Sequence, residues 1–278
     1  MKTRRADRPP APGDQADGLR QLFAVRDLRF VPLVHNPQVT GAGAVMERLC
    51  AGFAQQGMHT LVVDAADSAS LPHELAAVDL SACVETLSTE VSYLAARGLA
   101  LHYLDNRASL VGFLGALGRA APRADVVLLH AGAGDLRRMF VGRHPCPVLL
   151  VGSRPDSLMP AYAAIKLLSQ ALGPFAFDLV IASDQGPELA RRMGQRLRDC
   201  ADRFLGAALR HLVLLDPLTP PHEPPAADLS RLACAQLAPG VACSADASGT
   251  PLAAPSFAGA AKRRPLAPDP RPSAFSLS

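Results

Sequence analysis

Phe30-Val31-Pro32-Leu33-Val34, the turn Pro37-Gln38-Val39-Thr40-Gly41-Ala42-Gly43, the spaced Val45, Leu49 and Phe53, and then Thr60-Leu61-Val62-Val63-Asp64 decide the fold. An apolar run, a glycine-containing turn, a helical stripe and a second apolar run ending in a carboxylate make one strand–helix–strand unit. The alternation continues outward. Leu110–Leu117 reads as helix, Asp125–Leu129 and Pro147–Val151 as strands, and Ala161–Leu172 as helix. Phe177–Ile181 reads as strand, Glu188–Ala208 as a long amphipathic helix and Leu209–Leu215 as a last strand. The long helix carries an apolar line of Leu189, Met193, Leu197, Ala201, Phe204 and Leu205, spaced by three or four. Strands with continuous apolar runs are buried on both faces, so helices must cover both sides of a parallel sheet. The expected fold is an α/β three-layer sandwich with a mostly parallel central sheet.

Composition agrees and excludes other classes. Of 278 residues 49% are hydrophobic and 19% charged, which is enough for a core and too apolar for a wholly disordered chain. The net charge of +3 is too small to argue for nucleic acid on its own. No apolar run reaches the roughly 18 residues of a membrane span. The start, Met1 to Arg8, is basic without a following apolar stretch, so no secretory signal is expected. Cys50, Cys83, Cys146, Cys200, Cys234 and Cys243 form no C-x-x-C pair, so a zinc site is not expected. Scattered among Ala and Leu, they read as small apolar residues in a reducing, cytoplasmic setting.

The domain is bounded by composition. Residues 1–27 are basic and Pro-rich at their start and read as an N-terminal extension, 28–216 as the α/β domain, and 217–278 as a disordered tail. Twelve of the 25 prolines fall in the tail, and proline stops helices and central strands. Within it Ala226–Leu237, with Leu229, Leu232 and Leu237, reads as a transient helix.

Three stretches carry a family resemblance. Asp14-Gln15-Ala16-Asp17-Gly18-Leu19-Arg20 resembles the D-Q-A-x-x-L-R segment that opens FlhG (also called FleN) proteins, flagellar-number regulators in the MinD/ParA group of P-loop ATPases. Arg154-Pro155-Asp156-Ser157-Leu158-Met159-Pro160-Ala161-Tyr162-Ala163-Ala164-Ile165-Lys166-Leu167-Leu168 is similar to that family's T-P-E-P-T-S-x-x-D-A-Y-A-x-I-K-L-L. Arg198–Leu212 is similar to its late helix and last strand. The resemblance covers residues 14–217 and implies a MinD/ParA-like P-loop NTPase fold.

The departures fall on the ATP site. The group's phosphate loop reads K-G-G-V-G-K-[ST]; here Gly41 keeps its place, Pro37 and Ala42 replace the two lysines, and Gly43 replaces the hydroxyl that would hold Mg²⁺. Loop amides, lysine and hydroxyl are what cradle phosphate and metal. Asp64 fits the first carboxylate of the family's D-x-D, Ala66 replaces the second, and Asp67 comes one place late. His130 stands where the third strand should end in Asp, before the small-residue loop Ala131-Gly132-Ala133-Gly134. Gly41, Ala42, Gly43, Asp64 and His130 therefore read as a degenerate nucleotide site, and the chain as a pseudo-ATPase without cofactor or resident metal.

The resemblance implies a role that needs no ATP. In FlhG proteins the D-Q-A-x-x-L-R segment binds the signal-recognition-type GTPase FlhF and stimulates its hydrolysis; the matching positions are Asp14, Gln15, Ala16, Leu19 and Arg20. The expected function is regulation of flagellar number and placement by protein contact, in the cytoplasm and at the cell pole. The alternative is a working switch that binds ATP with Mg²⁺, dimerises, and associates with membrane or with a flagellar transcription activator. Switch-ring proteins of the flagellum and a second copy of the chain are further partners that the resemblance allows. No convincing C-terminal amphipathic helix argues for membrane, and nucleic acid is not an expected partner.

Overall fold

The computed structural model describes residues 28–172, 176–220 and 223–238. The segment Asp14–Arg20, where the partner-binding residues Asp14, Gln15, Ala16, Leu19 and Arg20 lie, is outside the described residues, as are 239–278. Among the described residues eight strands form one sheet. These are β1 (Arg29–Val34), β2 (Thr60–Asp64), β3 (Glu85–Thr86), β4 (Val91–Ala95), β5 (Val126–Ala131), β6 (Val148–Val151), β7 (Ala176–Ala182) and β8 (Ala208–Leu215). Their order is β3-β4-β2-β5-β1-β6-β7-β8, and every pairing is parallel except β3 with β4.

Helices lie on both faces, as continuous apolar strands require. α1 (Ala42–Ala54) and the last helix, α6 (Ala227–Leu237), cover one face, where Val45, Leu49 and Phe53 meet Leu229, Leu232 and Ala233. α2 (Val111–Ala120), α3 (Ala133–Met139), α4 (Leu158–Leu172) and α5 (Pro187–Leu205) cover the other. The expected α/β three-layer sandwich is the observed one.

Several expectations are corrected. The first helix starts three residues earlier than Val45, directly at the glycine turn. β3, β4 and α3 were not anticipated: β3 spans two residues, β4 alternates buried with half-buried positions and so lacks a continuous apolar run, and α3 spans seven residues. α5 ends at Leu205 because Gly206, at φ +61, takes the left-handed C-cap that other residues adopt at a cost. Phe204, expected on the buried line of α5, is 65% exposed, with the Arg203 guanidinium over its ring.

The largest correction concerns the expected tail. Ala227–Leu237 is a docked helix, with Leu229, Leu232, Ala233 and Gln236 buried. It approaches α1 closely at Gly52, where an added Cβ would stand 3.2 Å from the Ala233 Cβ. Arg48 of α1, 6% exposed, donates to the carbonyls of Glu223 at 2.5 Å and Pro224 at 3.1 Å, and so holds the proline-rich connector. Hydrogen bonds to a charged donor contribute about 1.5–3 kcal/mol. Arg48→Ala should cost about 2 kcal/mol in urea unfolding. It should also speed amide exchange over 227–237 more than over β5; uniform exchange would show that Arg48 does not hold α6.

Candidate functional site

The degenerate residues converge at the carboxyl ends of β1, β2 and β5, beside the point where the chain's direction of travel across the sheet reverses at β1. In open α/β sheets ligands bind at such a place. β2 ends at Asp64, paired in register with His130 of β5, which pairs with Leu33 of β1. The parallel register thus sets Asp64 beside His130, and His35 follows the end of β1.

These three side chains form a chain of hydrogen bonds. His130, 1% exposed, places Nδ1 2.8 Å from Asp64 Oδ1 and Nε2 3.3 Å from His35 Nδ1. The two imidazoles meet edge to face with centroids 5.1 Å apart. With Asp64 ionised, the network assigns the protons: His130 Nδ1–H donates to the carboxylate, and His130 Nε2 accepts from His35 Nδ1–H. Asp64 Oδ1 also accepts from the Ala66 amide at 3.3 Å. Burial, then the neighbouring His130, push the His35 pKa down, with Asp67 and Asp64 opposing. His35 therefore binds a proton less readily folded than unfolded. Stability is full above the ordinary value of about 6.5, falls as pH drops below it, and stops falling below the depressed value. Urea unfolding at pH 7.5 and 5.5 should show this loss, and His35→Gln should flatten the slope; an unchanged slope would remove His35 as its source.

The turn that follows β1 is closed on itself. Asn36, 2% exposed, donates to the Leu150 carbonyl at 2.8 Å and the Ser157 carbonyl at 2.9 Å. Its Oδ1 accepts from the Gln38 amide at 3.0 Å, and its backbone carbonyl from the Val39 amide at 3.0 Å. Pro37 has no N–H. Ser157 in turn bonds the Gly152 amide through Oγ at 3.1 Å. Gly41 caps α1 without a side-chain bond, Ala42 is the first helical residue, and Gly43 lies on the first turn, exposed and lining a cleft with Met46.

These groups do not fit a magnesium nucleotide. A phosphate loop presents free amides, a lysine and a hydroxyl. Here the amides of Gln38 and Val39 are engaged by Asn36, and Ala42 and Gly43 supply neither charge nor oxygen. Asp64 is committed to His130. No group of three or more metal-ligating side chains gathers among the described residues, so Asp64 and Asp67 are not joined by a third ligand. His35, Asn36 and Ser157 were not singled out from sequence. A His-Asn pair directly after an apolar strand, where the phosphate loop should begin, was the available signal.

No protein-family model matches the chain. Antiactivator FleN of Pseudomonas aeruginosa is 31% identical over 103 residues, which is 36% of this chain and 37% of that protein's length. Cobyrinic acid a,c-diamide synthase from Mycobacterium smegmatis, solved with bound ADP and magnesium, superposes with a TM-score of 0.51 at 20% identity. The alignment covers 76% of this chain and 94% of that one. MinD cell division protein of Aquifex aeolicus gives a TM-score of 0.49 at 12% identity, covering 75% of this chain and 96% of that one. At 20% identity the match to the synthase shows the fold alone.

Proposed function

We propose that the chain is a FleN/FlhG-like member of the MinD/ParA family and that it regulates flagellar number by protein contact, with its ATP site given up. The single observation that carries this reading is the Asp64–His130–His35 chain standing where a magnesium nucleotide would be held. Phosphoryl transfer depends almost wholly on positioned charge. An imidazole in place of a carboxylate, and alanine in place of lysine, remove that arrangement of charge. The working element is then the segment with Asp14, Gln15, Ala16, Leu19 and Arg20, which acts on an FlhF-type GTPase and needs no nucleotide in its carrier. The FleN match supports a regulator of this kind, and Asp64 and His130 become parts of a structural lock on the turn after β1.

Calorimetric titration with ATP and ADP, with and without Mg²⁺, tests the loss of the ATP site. No saturable heat is expected. A Kd in the micromolar range, about −8 kcal/mol, would restore the rival reading of an ATP-driven dimerising switch.

A further inference from the structure

The sheet edge at β3 and β4 leaves one face of the molecule incompletely covered. α1 and α6 cover the sheet from β2 to β8 on that side, and beyond them lies an apolar cleft of about 590 Å³. Met46 and Cys50 of α1 form one wall, Val62, Val91 and Tyr93 the floor, and Leu87 the far side. Leu87 is 62% exposed although it is aliphatic. Among the described residues the charged side chains lining the cleft are Glu47 and Glu90, both acidic and both at the rim.

We propose that this cleft is the cis docking site of the chain's own residues 14–23, which withholds the partner-binding segment until a partner competes for it. Two observations select this occupant. Ala16, Leu19, Leu22 and Phe23 fall at helical spacing and make one apolar stripe. The lengths also agree. Three inter-strand steps separate β1 from β4, about 14 Å. Leu28 leads directly into β1, and the four residues 24–27, if extended, would span about 14 Å. Ten residues laid as a helix give about 15 Å, close to the roughly 16 Å of α1 wall between Gly43 and Ala54.

Docking there covers Leu19. A GTPase that takes the segment must first displace it, so the contact is autoinhibitory. This regulatory part rests on the proposed role of residues 14–20; the docking itself does not.

Hydrogen exchange read by mass spectrometry on the full chain tests the docking with no partner present. Leu19→Asp/Phe23→Asp breaks the apolar stripe of the occupant and changes no residue that lines the cleft. Exchange over residues 87–93 should be about fivefold faster in this variant than in the unmodified chain. Ala51→Arg, which narrows the cleft from α1, should give the same increase over 14–23. Equal exchange in variant and unmodified chain overturns the proposal. Protection that rises with protein concentration also overturns it, because the occupant is then a second copy. Stimulation of the GTPase is measured separately. If Ala51→Arg raises it about threefold, the docking is inhibitory. If neither protein stimulates while the exchange difference holds, the GTPase reading fails and the docking stands.

Discussion

Asp178→Ala should lower the unfolding free energy by about 3 kcal/mol, the largest stability effect expected for one side chain here. Asp178 is fully buried at the start of β7. Its carboxylate accepts from Arg210 Nη2 at 2.9 Å, His211 Nδ1 at 2.9 Å and Gln236 Nε2 at 2.7 Å. Gln236 donates as well to the Cys146 carbonyl at 3.0 Å. One carboxylate thus joins β7, β8 and α6, and Gln236 extends the network to Cys146, two residues before β6. Removing it leaves a guanidinium and an amide without their acceptor, and an uncompensated buried charge costs about 3–5 kcal/mol. The Arg210 side chain is 29% exposed and recovers some hydration, which sets the lower end. In a body of this size about 3 kcal/mol lowers Tm by roughly 6–12 °C. Asp178→Asn keeps one acceptor oxygen and should lose about half as much. A Tm change under about 2 °C for Asp178→Ala would mean that the network is not a stabilising centre.

The same residue shows why part of this structure was legible in sequence and part was not. Apolar runs such as Asp125–Leu129 and Pro147–Val151 announced buried parallel strands, because burial on both faces leaves no alternation to confuse the pattern. The helix Ala227–Leu237 was placed correctly by its leucines and misjudged in its role. Its moment is ordinary and prolines flank it; what fixes it is Gln236 on Asp178 and Arg48 on the connector, 58 and about 175 residues away in sequence. Local spacing carries no trace of such partners. At the site the glycines and the missing lysines were visible, since each is defined by its place in a motif. His35 and Asn36 were not, because their meaning depends on β5 and β6 lying beside β1, which the sheet order supplies and the chain order hides. Phe204 failed for the opposite reason: it satisfies the helical period, yet its side chain lies past the edge of the surface that α5 covers.

Gln15→Ala/Arg20→Ala in the full chain should cut stimulation of an FlhF-type GTPase at least about tenfold and leave the carrier's own Tm unchanged. A residue supplied in trans that orients water or adds positive charge to a phosphoryl-transfer site accelerates hydrolysis by about 10³–10⁵ in the strongest cases. Gln15 and Arg20 are the side chains of the segment able to do either. Neither is among the core residues described for the fold, so unfolding should not report their loss. The stimulation should also be the same with and without ATP, because the turn after β1 is held by Asn36 rather than by a ligand. Stimulation that appears only when ATP is present would reverse the assignment. It would place control back in Gly41, Gly43 and Asp64, and Asp64 would then have to leave His130 to take part.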